Sequence, residues 1–328
     1  MMGVGIVGCG GIGRKRATSL AGARLVACAD VVSSRAAAVA ALVPGAVASP
    51  DWHELLRRAD VDVVVISTSN DALVEVACAA LQAGKHVLME KPAARSYAEL
   101  NQVLAAAQQA GRQVRVGFNH RYHPALLKAR ELFNAGEMGP MMFIRGRYGH
   151  GGRVGYDREW RANPAVSGGG ELIDQGVHLI DLARWFLGDF VEVSGFAHTY
   201  FWDMPVDDNA FMLLKTAQQQ VAFLHVTYTE WKNLFSLEIY GRDAKLHIEG
   251  LGGSYGTERL AFYKMLPQMG PPETTIWEFP GADASWNTEF AEFLEDIRLN
   301  RVPSAGLAEA LATLAVVEKI YAASKGKK

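Results

Sequence analysis

Apolar residues run through this chain in two rhythms. In the first third they form short continuous runs at residues 4–7, 25–29, 61–67, 86–89 and 113–117, the mark of strands buried on both faces. Helix-length segments lie between them at 14–20, 52–58, 71–83 and 97–110, the last two stopped by Gly84 and Gly111. Over residues 1–120 this alternation predicts an α/β domain, a doubly wound parallel sheet. From residue 121 the rhythm changes. Residues 124–135 read as a helix leaving the sheet, and 141–148 as a strand with alternating faces. The segments 190–200, 209–216, 221–229, 235–241 and 244–249 alternate like an antiparallel series, with turns at 217–220 and 242–243. Amphipathic helices at 286–299 and 307–323 close the pattern, which makes 121–328 an α+β domain. The stretch 305–323 is expected to pack back on the first domain.

One segment stands apart. Residues 168–188 open on Gly168, Gly169 and Gly170, close on Gly188, and are apolar nearly all round between, so the helix they predict is buried. Asp174, His178 and Asp181 nevertheless recur at i, i+4 and i+7, which stacks them on one side. Buried ionisable groups are costly unless paired or used in chemistry. Taken singly, Asp174 reads as a backbone-binding acid and His178 as a satisfied core histidine. Three polar groups in register behind a flexible glycine run favour a functional site.

Composition narrows the field. At 328 residues, 49% hydrophobic and 21% charged, the chain can build two cores and is no disordered segment. Its 33 basic and 35 acidic residues give a net charge of −2 without any basic block, so a nucleic-acid partner has no electrostatic footprint. Only Lys325, Lys327 and Lys328 cluster, as a solvated tail. Cys9, Cys28 and Cys78 lack metal-ligand spacing, which argues for a reducing compartment and no structural metal. No basic leader and no run of membrane length appear, so a cytoplasmic protein without a membrane partner is expected.

The first strand runs into Gly8-Cys9-Gly10-Gly11-Ile12-Gly13, a G-x-G-x-x-G turn opening a helix. Gly8 permits the tight turn, Gly10 admits a pyrophosphate to the backbone, and Gly13 lets helix and strand pack closely. Asp30 ends the second strand, where a carboxylate accepts from the ribose hydroxyls and repels a 2′-phosphate. NAD is therefore expected over NADP, with only Arg35 nearby to argue otherwise. Thr68-Ser69-Asn70, Glu90-Lys91-Pro92 and Phe118-Asn119-His120-Arg121 follow later strands, at the carboxyl ends where such sheets bind ligands.

In order along the chain, GCGGIG, AGKHVLMEKP, GFNHRYHP and GGGELIDQGVHLID resemble the glucose–fructose oxidoreductase / inositol dehydrogenase (Gfo/Idh/MocA) family. The resemblance spans the chain, and its EKP and D-x-x-x-H motifs are more specific than the glycine turn. It implies a Rossmann domain, then an α+β domain whose large open antiparallel sheet joins a homodimer or homotetramer. It implies a catalytic set of Lys91, Asp174 and His178. It implies an NAD site formed by Gly8, Gly10, Gly11, Ile12, Gly13, Asp30, Thr68, Asn70, Glu90, Lys91 and Asn119, with Trp160 and Arg161 at a Trp-Arg pair that touches the cofactor in some members. The EKP turn implies a cis Lys91–Pro92 peptide. The chain departs from the family's T-P-x-x-x-H pattern with Thr68, Ser69 and Leu73, which touches cofactor lining rather than chemistry.

The reaction so implied is reversible oxidation of a secondary alcohol on a sugar, sugar derivative or cyclic polyol. His178 would take the proton, Asp174 orient it or hold a neighbouring hydroxyl, and Lys91 stabilise alkoxide charge. Sequence leaves open which of Lys91 and His178 is the proton acceptor. Residues 148–164 gather aromatics and cations, and with Arg121 the residues Tyr148, His150, Arg153, Tyr156 and Arg158 are the expected substrate contacts. Guanidiniums in number, including Arg145 and Arg147 upstream, suit an anionic sugar such as a phosphate, an acid or a nucleotide sugar. A free inositol or hexose is the runner-up, and a solvated loop of salt bridges is the plainer account. Two other functions remain: a glycosidase that oxidises its substrate transiently with NAD, and a silent NAD-binding sensor. The complete Lys91, Asp174, His178 set argues against the sensor.

Overall fold

In the computed structural model, which describes residues 1–325, the chain divides into two compact units. Lys327 and Lys328 of the basic tail lie outside the described residues. The first unit comprises Met1–Phe118, Ala165–Gly168 and Trp286–Leu311; the second comprises Asn119–Pro164, Gly169–Ser285 and the chain from Ala312 onward.

The first unit begins with β1 (Gly3–Val7), α1 (Gly11–Ala17), β2 (Arg24–Ala29), α2 (Ser33–Ala40), β3 (Val47–Ser49) and α3 (Trp52–Leu56). It continues through β4 (Val63–Ile66), α4 (Asn70–Gln82), β5 (His86–Met89), α5 (Tyr97–Ala110) and β6 (Val114–Val116). The strands form one parallel sheet in the order β3-β2-β1-β4-β5-β6. Strand order reverses between β1 and β4, the switch point where open α/β sheets bind ligands. Val4 and Ile6 of β1, Leu25 and Cys28 of β2, and Val63 and Val65 of β4 form the core with Phe290 and Phe293. Each such side chain contributes roughly 1.5–3 kcal/mol by leaving water. Ser96 caps α5 by accepting from the Glu99 N–H at 3.2 Å, and Gly111 ends it with φ +60°. The patterning did not foresee α2 and β3. The first is alanine-rich without a side-chain cap, and the second is a three-residue edge strand, half exposed.

Downstream come α6 (Pro124–Asn134), β7 (Met141–Gly149), the short α7 (Pro164–Ser167) and α8 (Val177–Leu187). The strands β8 (Phe190–His198), β9 (Asn209–Thr216), β10 (Val221–Thr227), β11 (Leu234–Gly241), β12 (Ala244–Glu249), β13 (Glu258–Lys264) and β14 (Glu273–Phe279) follow, then α9 (Ser285–Leu299) and α10 (Leu307–Lys325). The second sheet has eight strands in the order β14-β13-β12-β11-β7-β10-β9-β8. It is antiparallel except at its centre, where β7 and β10 pair in parallel. The large, mainly antiparallel sheet expected is thus present, with one parallel pair added: β7 arrives long before its neighbours, so its pairing is set by a crossover rather than a hairpin. One face buries Ile144, Tyr148, Leu224 and Val226 and packs against α6 and α8, while the other leaves Phe196, Leu213 and Phe223 exposed.

The glycine-bounded segment differs from its expectation in two ways. Its first turn, Leu172–Gly176, is a wide π turn, and regular helix begins only at Val177. π turns inside helices frequently mark functional sites. The glycine run is also tightly packed rather than flexible. A Cβ on Gly169 would lie 2.1 Å from the Tyr321 hydroxyl, and one on Gly170 would lie 1.9 Å from the Asp207 carbonyl oxygen. The buried Asp207 carboxylate accepts from the N–H of Gly170 at 2.9 Å, the N–H of Leu172 at 2.8 Å and the Tyr321 hydroxyl at 2.9 Å. The glycines are there so that this anchor can close.

Candidate active site

The first unit carries a nucleotide cradle. Gly8 has φ +90°, and its Cβ would meet the Ser67 carbonyl oxygen at 2.5 Å. A Cβ on Gly13 would fall 2.0 Å from the Gly8 carbonyl oxygen, whereas one on Gly10 or Gly11 would meet nothing within 4 Å. Two glycines are thus demanded by packing and two, beside Ile12, keep open space at the start of α1, the shape a pyrophosphate needs. Asp30 sits at the tip of β2, its carboxylate accepting from the N–H of Cys9 at 2.7 Å and of Val32 at 2.8 Å. The acid is thereby fixed beside the glycine turn. These residues fit a dinucleotide.

Other expected cofactor residues are already engaged. The Thr68 hydroxyl donates to the Ser69 carbonyl at 3.1 Å, and the Asn70 amide donates to the Ser167 carbonyl at 2.8 Å. Glu90, expected at the cofactor, is buried and accepts from Arg16 Nε at 2.7 Å. Arg16 is fully buried, also meets Glu289 at 2.5 Å, and lies under the Trp286 ring at 4.4 Å. A guanidinium without water needs its carboxylates, and burial pushes the Glu289 carboxyl up. Glu90 therefore anchors the turn before Lys91 from below. The Lys91–Pro92 peptide is cis.

The second unit carries a cluster of acids, phenols and imidazoles. Asp174, in the π turn, accepts from the Tyr228 hydroxyl at 2.7 Å and from Arg161 Nε at 3.1 Å. The Asp174 carboxylate raises the Arg161 guanidinium pKa further above its ordinary value. Arg161 also rests on the Trp160 ring at 4.6 Å. His178, on the first turn of α8, is buried and stacked on His120, with ring centroids 3.7 Å apart and planes 17° from parallel. Tyr148 stands edge-on to both histidines. Burial pushes the phenols of Tyr148, Tyr156 and Tyr228 well up, and that of Tyr255 to about 12. These phenols stay protonated at working pH, so they donate hydrogen bonds and are not bases. The fully buried Glu171 adds negative charge that pushes them in the same direction.

The remaining expected residues fall in three places. Tyr148, His150 and Tyr156 belong to the cluster, His150 lying 4.9 Å from Tyr228 and 5.8 Å from Tyr156, ring to ring. Asn119 is buried beside His120 and donates to Ser285 Oγ at 3.0 Å. The arginines do not pool their charge. Arg121 is buried in a two-pronged pair with Asp181 at 2.7 and 2.6 Å, so Asp181 is not part of the Asp174 group. Arg145 pairs with Glu238 at 2.8 Å and Arg153 with Glu159 at 2.7 Å, while Arg158 projects from the surface. Sequence reasoning assigned no role to Tyr228, Tyr255, His120 or Glu171. Nothing in the local pattern distinguishes Tyr228, just after β10, from a core residue, whereas His120 and Glu171 lie within GFNHRYHP and GGGELIDQGVHLID.

Comparison with known proteins agrees with this geometry. The family model for the oxidoreductase NAD-binding Rossmann fold (GFO_IDH_MocA) matches residues 2–118, and that for the GFO/IDH/MocA C-terminal domain matches residues 126–247. Inositol 2-dehydrogenase 2 of Saccharopolyspora erythraea is 34% identical over 203 residues, 60% of this chain and 57% of that protein. The chain thus spans little more than half the length of the first curated relatives it matches, 57% and 54%. Inositol 2-dehydrogenase of Acidothermus cellulolyticus is 30% identical over 336 residues, covering 97% of this chain and 92% of its own. A solved levoglucosan dehydrogenase, in complex with NADH and levoglucosan, superposes with a TM-score of 0.89 at 24% identity, covering 99% and 97% of the two chains, which shows the shared fold. Glycine cradle, two-unit architecture and full-length similarity together mean that the chain belongs to the Gfo/Idh/MocA family of oxidoreductases.

Proposed function

We propose that this protein oxidises a secondary alcohol of a neutral sugar or cyclic polyol in an NAD-dependent reaction. The observation that carries the reading is the clamped Asp174, held by Tyr228 and Arg161 one turn before His178. When bound, NAD would supply the hydride acceptor, held by the Gly8–Gly13 turn and by Asp30. Tyr228 and Arg161 fix the direction of the Asp174 carboxylate, which would accept from a substrate hydroxyl. His178 is the proton acceptor in the alcohol direction, because neutral imidazole is a competent base near neutral pH. Lys91 stabilises the developing alkoxide; exchange of the Lys91 and His178 roles would show in the pH dependence of their variants. Residues 1–120 would serve the cofactor and 121–328 the substrate and self-association.

Substrate neutrality is supported by the fate of the arginines. Arg121, Arg145, Arg153 and Arg161 each have a carboxylate partner, so less cationic charge is left over for a phosphate or nucleotide sugar than the count of arginines suggests, with Arg158 the exposed exception. The names of the inositol and levoglucosan relatives point to the same class of alcohol. Lys91→Met and His178→Ala should each lower turnover by about 10²–10⁴-fold, with NAD affinity, measured by fluorescence titration, within a few fold of wild type. Near-normal turnover in either variant removes that residue from the reaction. We further propose a homodimer or homotetramer closed by the exposed sheet face, since an apolar face bearing Phe196, Leu213 and Phe223 is costly in a monomer.

A further inference from the structure

The connection from β12 to β13, residues 250–257, reads GLGGSYGT and carries one aromatic side chain, Tyr255. That ring lies 5.1 Å from the ring of Tyr148, and the two hydroxyls meet. Tyr148 in turn stands edge-on to the His178 ring at 6.4 Å and to the His120 ring at 5.2 Å, centroid to centroid. Tyr255 is thus one ring removed from the histidine proposed as the base. Burial pushes its phenol up to about 12, and the charges of Glu171 and Asp174 push the same way. The phenols of this cluster differ in one respect. Tyr148, Tyr156 and Tyr228 are buried, whereas Tyr255 is partly exposed, as is the Asp174 side chain at 15%. The acid and the outermost phenol are therefore both open to a ligand arriving from solvent.

The loop braces this ring. At its start Leu251 is buried, and the N–H of Gly250 donates to the Phe235 carbonyl at 3.1 Å. At its tip the N–H of Gly256 donates to the Gly253 carbonyl at 3.1 Å, closing a turn with Ser254 and Tyr255 at its corners. Gly253 and Gly256 have φ of +89° and +94°, which lets the chain enter and leave that turn. The Asn233 side-chain amide donates to the Ser254 carbonyl at 3.2 Å. A ring presented on a closed turn is ordered before anything binds, which lowers the ordering cost of a ligand.

We propose that Tyr255 is a specificity-determining residue of this site, its hydroxyl contacting a substrate hydroxyl other than the one oxidised. The inference rests on the proposed function and adds the residue that recognises the rest of the ring. A phenol hydroxyl both donates and accepts, so its contact with Tyr148 leaves it a second role. A sugar or cyclic polyol carries a hydroxyl on neighbouring carbons all round the ring, and the reaction at His178 uses only one of them. A site group placed to bond a second hydroxyl penalises an analogue that lacks it, because the group is then left unpaired. The phenol stays protonated at working pH and moves no proton, so its contribution is to binding.

The test is steady-state NADH formation by the wild type and by Tyr255→Phe, which keeps the ring and removes the hydroxyl. The substrates are the inositol or hexose that the wild type oxidises fastest and a set of its monodeoxy derivatives. For the parent ring Tyr255→Phe should raise KM about 3- to 10-fold, the size of one neutral hydrogen bond, with kcat within about twofold of wild type. In the wild type one deoxy derivative, lacking the hydroxyl that Tyr255 contacts, should carry the same penalty. Tyr255→Phe should add nothing to the KM of that derivative while still raising it for the others. The ring is retained and the residue is partly exposed, so folding is expected to survive and is checked by thermal melting. The inference is overturned if KM for the parent ring is unchanged, or if every derivative is penalised alike, as a purely structural tyrosine would do. A fall in kcat in place of the rise in KM also overturns it. Absence of NADH from every inositol and hexose with the wild type would overturn the proposed function as well.

Discussion

Asp174 illustrates how much of one residue's role lies outside its own segment. Its spacing from His178 is plain in the sequence, because a D-x-x-x-H pair in an otherwise apolar helix has few structural explanations. Its partners are not. Tyr228 reaches it from just beyond the end of β10, more than fifty positions away, and Arg161 from an irregular loop. Neither approach leaves a periodic signal. Tyr228→Phe keeps the ring beside Tyr156 and His150 and removes the hydroxyl that donates to Asp174 and meets the Tyr156 side chain. A hydrogen bond to a charged group is worth about 1.5–3 kcal/mol, so kcat/KM should fall about 10- to 100-fold with little change in melting temperature. Unchanged kcat/KM would mean that the tyrosine does not direct the acid. The arginines carry the opposite lesson. Counted along the chain they form a cationic cluster, but Arg121 and Arg145 find carboxylates on distant elements, Asp181 and Glu238, while Arg153 pairs with Glu159 of its own loop.

At the scale of elements, the parallel sheet of the first unit was legible because its strands are continuous apolar runs separated by capped helices. Among the segments that escaped, β3 is short, β14 lies at an edge, and β13 is an inner strand that follows the glycine-rich stretch 250–256. β14 is largely exposed and follows a Gly-Pro stretch, so it lacks both alternation and burial as a signal. The glycine turn makes a paired prediction. Gly13→Ala places a methyl group 2.0 Å from a backbone oxygen and should cost about 1–3 kcal/mol, read as a lower melting temperature. Gly10→Ala meets nothing within 4 Å and has an ordinary φ of −70°, so it should fold like the wild type yet lose NAD binding. Equal NAD affinity in Gly10→Ala and wild type would remove the cradle from that position.

A second prediction at this scale concerns β5. Burial lowers the His86 pKa below its ordinary value, with the Arg112 charge adding to the effect. Below about pH 6.5 the unfolded chain therefore takes up this proton before the folded one does. The stability held above that pH is lost as pH falls. His86→Gln should flatten the decline of melting temperature between pH 7 and pH 5.5. An undiminished slope would show that His86 is not among the groups responsible.

For the whole molecule, the sequence announced a large second sheet, but not the parallel β7–β10 pair at its centre, because pairing partners so far apart share no local feature. The open face of that sheet carries the self-association proposal. Phe223→Lys, placed among Phe196 and Leu213, should convert a dimer or tetramer to a smaller species in sedimentation velocity. A wild-type monomer, or an oligomer indifferent to that change, would send the interface elsewhere.

The clamped acid and its histidine are proposed to act on a neutral alcohol. This is tested most directly by the initial rate of NADH absorbance when the purified wild type is given NAD and a panel of inositols, hexoses and gluco-disaccharides, each beside its phosphate or acid derivative. The account predicts NADH from at least one neutral member, at a higher kcat/KM than from its anionic counterpart. NADH from the anionic members alone, or from none of the panel, would contradict it.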